Sequence, residues 1–61
     1  MNALRDFRNQ LGLSRREMAE TLNVSLSLYE KIELGERNMS ANFLKKLKSK
    51  YPDLDIDIFL V

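Results

Sequence analysis

The most constraining feature of this sequence is the stretch from Gly12 to Gly35. It contains two runs with helical spacing of apolar residues, about eight and nine residues long, joined by a connection of only about three or four. So short a connection forces two helices to cross steeply and keeps them from packing antiparallel. The sequence therefore predicts a crossed pair of helices, the second of which protrudes from the domain.

Both helices of this pair begin at good capping residues. Ser14 is followed three residues later by Glu17, the capping-box pattern in which each side chain satisfies a backbone donor of the first turn. Ser25 suits the N-cap of the second helix. We therefore expect the two helices at about residues 15–22 and 26–34.

Two further helices and a tail surround the pair. Apolar residues recur at helical spacing from Leu4 to Leu11, and Ser40 is a suitable N-cap for a fourth helix that Pro52 closes. The tail over residues 54–60 alternates as a strand would, whereas an acidic first turn favours a short fifth helix, which we prefer. The predicted fold class is all-α, a compact four- to five-helix bundle.

Length and composition set the size of this bundle and the chemistry that it lacks. The 61 residues suffice for one small core, so the whole chain (1–61) is expected to be a single domain. It contains no cysteine and no histidine, and therefore no disulfide, thiolate ligand or imidazole proton shuttle. We expect no metal site, no cofactor and no small-molecule ligand.

The same composition disfavours two functional classes. Acid–base or nucleophilic catalysis would need a histidine, a cysteine or carboxylates that converge in a pocket, so we do not expect an enzyme. No apolar run approaches the roughly 18 residues of a membrane-spanning helix, and the N-terminus lacks the apolar core of a signal peptide. We expect a cytoplasmic protein without membrane contact.

The charged residues are unevenly distributed along the chain. The net charge of +1 is small for a nucleic-acid binder. All ten basic residues nevertheless precede Tyr51, together with only six acidic residues, whereas the tail is purely acidic. Four lysines on the fourth helix are read as its solvated face, with phosphate contact as the alternative: Lys45, Lys46, Lys48 and Lys50.

Several short motifs mark the central stretch and its flanks: Gly12-Leu13-Ser14, Ala19, Asn23-Val24-Ser25, Ile32-Glu33-Leu34-Gly35 and Glu36-Arg37-Asn38-Met39-Ser40. In combination they resemble the Cro/C1-type (Xre-like) helix-turn-helix domains of the phage-repressor family, over at least residues 4–51. The family usually has glycine at the position of Asn23. The resemblance implies a lambda-repressor-like fold and a sequence-specific regulator of transcription, more often a repressor, that binds double-stranded DNA with helix 25–34 in the major groove.

The resemblance also implies which residues contact DNA. Arg15 and Arg16 lie in the first turn of a helix, where the dipole disfavours cations, so an external phosphate would explain them; a solvated face is the alternative. The connector after the recognition helix would steady the DNA backbone. The residues expected to contact DNA are Arg15, Arg16, Ser25, Leu26, Ser27, Leu28, Lys31, Arg37, Asn38 and Asn42.

The recognition helix carries an unusual set of side chains. Ser27 and Lys31 can donate to base edges or phosphates, and Leu26 or Leu28 could contact thymine methyl groups. Glu30 would place a negative charge near the groove. If the two leucines are exposed, they favour the alternative function, a helical protein–protein interaction module (anti-repressor-like) that kept the fold and lost DNA readout. One continuous positive face around this helix would favour DNA, and scattered cations would favour the interaction module; the residues concerned are Arg15, Arg16, Lys31 and Arg37.

Two structural contacts follow from the resemblance. Arg8 and Glu33 are expected to form an ion pair, which costs on the order of 3 kcal/mol to break if it is partly buried; two independent surface charges are the alternative. The apolar tail should in part cap the core and in part form a homodimer that reads two half-sites about 34 Å apart. The residues expected in that dimer are Ile56, Ile58, Phe59 and Val61.

Overall fold

The computed structural model describes residues 2–59, which fold into four α-helices and one short 3-10 helix with no strand in that range. The all-α prediction is confirmed, and the tail forms a helix, although of the 3-10 type. Among residues 2–59, no helix is long and apolar enough to cross a membrane. The helices are α1 (Ala3–Gln10), α2 (Arg15–Thr21), α3 (Leu26–Glu33), α4 (Ala41–Lys50) and the 3-10 helix (Ile56–Phe59).

Each α-helix begins at a polar side chain that accepts a hydrogen bond from a backbone N–H of the first turn. The predicted caps Ser14, Ser25 and Ser40 act in this way, with oxygen–nitrogen distances of 3.1 Å. The Glu17 carboxylate accepts in return from the Ser14 N–H at 2.9 Å, which completes the capping box. Asn2, which the sequence analysis did not identify, caps α1. Each cap stabilises its helix by about 1 kcal/mol.

Three helices end in a residue with left-handed backbone conformation. Gly12, Asn23 and Gly35 have φ of 71°, 56° and 82°. At the end of α2, the N–H of Val24 donates to the carbonyl of Ala19 at 3.0 Å, the long bond of a Schellman motif. Asparagine tolerates this conformation better than other non-glycine residues. This explains how the chain can lack the family's usual glycine and still make the turn.

The core draws apolar side chains from all four α-helices. Tyr29 is fully buried, and its ring packs against Phe43 with 6.4 Å between centroids. Burial raises the pKa of the Tyr29 hydroxyl, which has no hydrogen-bond partner within residues 2–59. Each large apolar side chain buried here contributes about 1.5–3 kcal/mol. The buried apolar residues are Leu4, Met18, Ala19, Leu22, Tyr29, Ile32, Phe43 and Leu47.

The C-terminal segment packs back on α1 through aromatic contacts. The ring of Phe7 meets the rings of Tyr51 and Phe59 edge-on, with centroids 5.1 and 6.5 Å apart. Lys48 also ties α4 to this segment, since its ammonium donates to the Leu54 carbonyl at 2.9 Å. Part of the apolar tail therefore caps the core of its own chain, and this requires no second copy.

The four residues predicted for a homodimer differ in exposure. Ile58 is 46% exposed, whereas Ile56 and Phe59 are half-buried. Val61 lies outside the described residues. Phe59 already packs against Phe7, so Ile58 is the described residue of these four with the most exposed apolar surface.

Candidate nucleic-acid interface

The helices α2 and α3 pack on each other across a short, well-fixed turn. Met18, Ala19 and Leu22 on one side and Tyr29 and Ile32 on the other are all buried.

The turn between α2 and α3 is also held by α4, because the ammonium of Lys46 donates to the Asn23 carbonyl at 3.2 Å. The position of α3 relative to α2 is thus set by packing, by caps at both ends of the turn and by this lysine contact.

A buried carboxylate anchors the C-terminal end of α3 to α1. The side chain of Glu33 is 1% exposed and accepts from Arg8 twice, from Nε at 3.0 Å and from Nη2 at 3.1 Å. The remaining Nη1 of Arg8 donates to the Leu13 carbonyl at 2.8 Å. Such a bidentate pair has fixed geometry as well as favourable charge. The pair therefore fixes the C-terminal end of α3 to α1.

Arg15 brings a second guanidinium to the same carboxylate. Its Nε donates to Glu33 at 3.0 Å, and its Nη1 lies 4.0 Å from a Glu30 oxygen. The sequence interpretation explained Arg15 by an external anion, but the structure gives it an internal partner that is 18 positions away in sequence. The Arg15 side chain stays 40% exposed, so one face of the guanidinium is open to solvent.

The charge state of this cluster follows from its contacts. Burial by itself would raise the pKa of Glu33, but the hydrogen bonds from Arg8 and Arg15 outweigh that effect and lower it to about 2. The hydrogen bond to Glu33 raises the pKa of Arg8 in turn. Glu33 is therefore ionised at neutral pH, and Arg8, Arg15, Glu30 and Glu33 together carry no net charge.

An exposed stripe runs along α3 on the side away from the core. Ser27, Lys31 and Leu34 are exposed at spacings of four and three residues, which places them on one helix face. Leu34 is 61% exposed and was not predicted as a surface residue of interest. The backbone N–H of Arg37 donates to the Lys31 carbonyl at 3.2 Å, so the connector continues from the end of this stripe.

The two leucines near the start of α3 are a correction to the sequence interpretation. Leu26 and Leu28 are half-buried and pack against the core, so they do not form an exposed apolar patch. The reason is helical geometry: Leu26 lies three residues before Tyr29, and Leu28 lies four before Ile32, so both approach the inward face. The interaction-module alternative loses its proposed contact patch, and contact with thymine methyl groups is limited to the part of each side chain that remains exposed.

The remaining predicted DNA contacts lie at the surface around α3. Lys31 and Arg37 adjoin each other, and Arg16 follows Arg15 on α2. Within residues 2–59, Arg16, Lys31 and Arg37 form no ion pair, in contrast to Arg15. Further exposed residues of the predicted set are Ser25, Asn38 and Asn42.

The described part of the chain offers no obvious place for a metal ion. No group of three Asp or Glu side chains in residues 2–59 is close enough to hold one. The polar groups of the crossed pair include the cations Arg15, Arg16 and Lys31 and the hydroxyls Thr21 and Ser27, alongside four carboxylates. Such cations and hydroxyls suit phosphates and base edges.

A pair of helices joined by a short capped turn, inside a four-helix domain, defines the helix-turn-helix class of protein. The family model described as helix-turn-helix matches residues 4–59, and the chain belongs to this family, in its Cro/C1-type form. It is a family of DNA-binding regulatory domains and not typically one of enzymes. Searches of curated proteins and of solved structures returned no significant match.

Proposed function

We propose that this chain is a sequence-specific regulator of transcription, acting as a repressor, that places α3 in the major groove of double-stranded DNA. The observation that carries the proposal is the exposed stripe of α3, on which Ser27 and Lys31 share one face of a helix fixed by caps and by the Glu33 cluster. A helix about 10–12 Å across fits a groove about 12 Å wide. The cytoplasmic location expected from the sequence is part of the same proposal.

Base readout is assigned to the two polar residues of the stripe. Ser27 can donate to or accept from a base edge, and Lys31 donates, with guanine as its most favourable partner. Leu34 continues the stripe and can make apolar contact with the sugar or a thymine methyl group. Few polar groups are available, so the direct readout should cover few base pairs.

Contacts to the phosphate backbone are assigned to the neighbouring surface residues. Arg16 and Arg37 are cations without an ion-pair partner in the described residues, and they lie on α2 and on the connector after α3. Asn38, Asn42 and Ser25 add neutral donors, which position a protein on the duplex without reading its sequence. Arg15 is the secondary member of this group, since it is already paired with Glu33.

The homodimer implied by the family resemblance is an alternative use of the C-terminal segment, separate from DNA binding. It would place two copies of α3 at half-sites one helical turn, about 34 Å, apart. Of the described residues predicted for this dimer, Ile58 has the most exposed surface, and the aspartates of the same segment would face the aspartates of the second copy. Sedimentation equilibrium of the free chain tests the dimer, and a monomer mass at high micromolar concentration contradicts it.

DNA binding is tested by fluorescence anisotropy with a mixed-sequence duplex at about 50 and 200 mM salt. We expect dissociation constants on the order of micromolar at low salt and a steep loss of affinity as salt rises, because cations displace counterions from the phosphates. Selection from a randomised duplex pool then identifies the operator, and a reporter gene behind it tests repression. Absence of binding at the lower salt concentration would reject the proposal.

A further inference from the structure

A groove on the outer side of α1 lies apart from the proposed DNA interface. It consists of two cavities of about 510 and 230 Å³ that share Phe7, Gln10 and Ile58 in their walls. The larger one extends along the segment from Lys50 to Asp55, and the smaller one extends towards the start of α1. We call this surface the α1 groove. None of the residues that line it belongs to α2 or α3.

The floor of the α1 groove is apolar and partly open to solvent. Phe7, Tyr51 and Leu54 are half-buried there, and Ile58 is 46% exposed between the two cavities. On α1, the lining residues recur at the spacing of a single helix face. A partner protein can pack against the exposed Ile58 side chain and place its side chains in the two cavities beside it.

The rim of the α1 groove is acidic. Asp6, Asp53 and Asp55 line the two cavities, against one lysine, Lys50. Asp57 is exposed on the 3-10 helix that carries Ile58. These carboxylates repel phosphate and attract lysine and arginine. The α1 groove therefore differs in charge from the exposed cations that are assigned to DNA, Arg16, Lys31 and Arg37.

We propose that the α1 groove binds an amphipathic helical segment of a partner protein, with apolar side chains in the two cavities and basic side chains against the aspartates. This is the helix-in-groove mode of recognition, which needs apolar anchors at helical spacing. The lining residues avoid α2 and α3, so the partner and DNA can bind at the same time. The regulator would then carry a partner protein to its operator.

A second copy of this chain fits the α1 groove less well than a basic segment does. Two copies would bring together two sets of Asp6, Asp53, Asp55 and Asp57, which Lys48 and Lys50 of each chain compensate only in part. Like charges that face each other across an interface are unfavourable. The predicted homodimer through Ile58 is thus the competing occupant, and the experiment below distinguishes it.

The test is an NMR titration of the 15N-labelled chain with a synthetic amphipathic helical peptide of lysine and leucine. A peptide of the same pattern with glutamate in place of lysine is the charge control. We expect the lysine peptide to shift the amide signals of Phe7, Gln10 and Ile58 in a saturable way, and the glutamate peptide to leave them in place. Binding of both peptides alike would overturn the proposal, as would shifts centred on α3.

Two variants locate the contact and one controls for a general loss of apolar surface. Ile58→Ser should weaken binding of the lysine peptide about five- to tenfold. The double change Asp53→Asn with Asp55→Asn should weaken it about two- to fivefold for each carboxylate. Leu34→Ser, at an even more exposed apolar residue outside the α1 groove, should leave the affinity unchanged. If Ile58→Ser weakens binding no more than Leu34→Ser, the proposal fails.

The free protein supplies the last comparison. Dilution of the unliganded chain from high to low micromolar concentration should leave the signals of Phe7 and Ile58 unmoved. Concentration-dependent shifts at these residues would mean that a second copy occupies the α1 groove. That outcome would replace the proposed partner with the homodimer.

Discussion

Replacement of Arg8 by methionine should severely destabilise the domain. Arg8 is 11% exposed, and its three side-chain donors reach Glu33 twice and the Leu13 carbonyl once. Methionine keeps much of the aliphatic volume and removes all three donors. Glu33, 1% exposed, would then depend on Arg15 alone, whose own side chain is 40% exposed.

The size of this effect follows from the burial of the pair. Removal of one partner from a buried ion pair costs about 3–5 kcal/mol, and Arg15 keeps donating to Glu33, so we expect the lower end, about 3 kcal/mol. A chain of this length has a total stability of about 3–9 kcal/mol. The variant should therefore be marginally folded, with a melting temperature about 12–24 °C lower.

Urea unfolding followed by far-UV circular dichroism measures this difference, and Arg5→Met is the matched control. Arg5 lies one turn earlier on α1, is exposed and forms no ion pair within residues 2–59. Its replacement should change stability by less than about 0.5 kcal/mol. Equal midpoints for the two variants would refute the reasoning, because they would mean that the buried pair contributes no more than a surface charge.

Three further predictions concern the same architecture. Stability should fall as pH drops from the ordinary glutamate value of 4.5 towards the lowered pKa of Glu33, about 2, because only the folded state keeps this carboxylate ionised. The urea midpoint should fall less over this pH interval for Arg8→Met than for the unchanged chain. Parallel curves of midpoint against pH for the two proteins would contradict the assignment of this dependence to Glu33. Asn23→Ala should cost about 1–2 kcal/mol and Asn23→Gly should be tolerated, since φ at this residue is 56°; equal thermal midpoints would argue against backbone strain. Glu30→Gln should raise affinity for mixed-sequence duplex, since Arg15 loses a competing carboxylate at 4.0 Å, and an unchanged anisotropy titration would rule this out.

Local signals in the sequence account for the elements that were predicted well. Ser14 and Glu17 lie within one helical turn of each other, so the capping box depends on little else in the fold. The left-handed turn at Asn23 is likewise set by a few neighbouring residues. The Arg8–Glu33 contact is long-range, and it was expected only because of the resemblance to a family. Local physical chemistry was sufficient for the helices and their ends.

Long-range packing accounts for what sequence reasoning missed. Leu26 and Leu28 were predicted to contact DNA or a protein partner, and the structure shows that both are half-buried against the core. Arg15 was assigned an external anion because its partner, Glu33, is 18 positions away. Asn2 donates to the Glu33 carbonyl, a contact that joins the start of α1 to the end of α3. The contacts of Arg15 and Asn2 with Glu33 join different helices, so no pattern within one helix could reveal them, whereas the spacing of the two leucines to Tyr29 and Ile32 could have revealed their partial burial.

The central claim is that the exposed stripe of α3 meets DNA, and Lys31 tests it most directly. Lys31→Met should be compared with Lys50→Met, which removes the same charge from the rim of the α1 groove. Anisotropy titrations of both variants with one duplex over a series of salt concentrations give the affinity and its salt slope. We expect Lys31→Met to weaken binding and to reduce the salt slope, because a cation that contacts a base edge or a phosphate is lost, while Lys50→Met changes neither. If both variants keep the wild-type affinity and slope, α3 does not meet DNA in the way proposed.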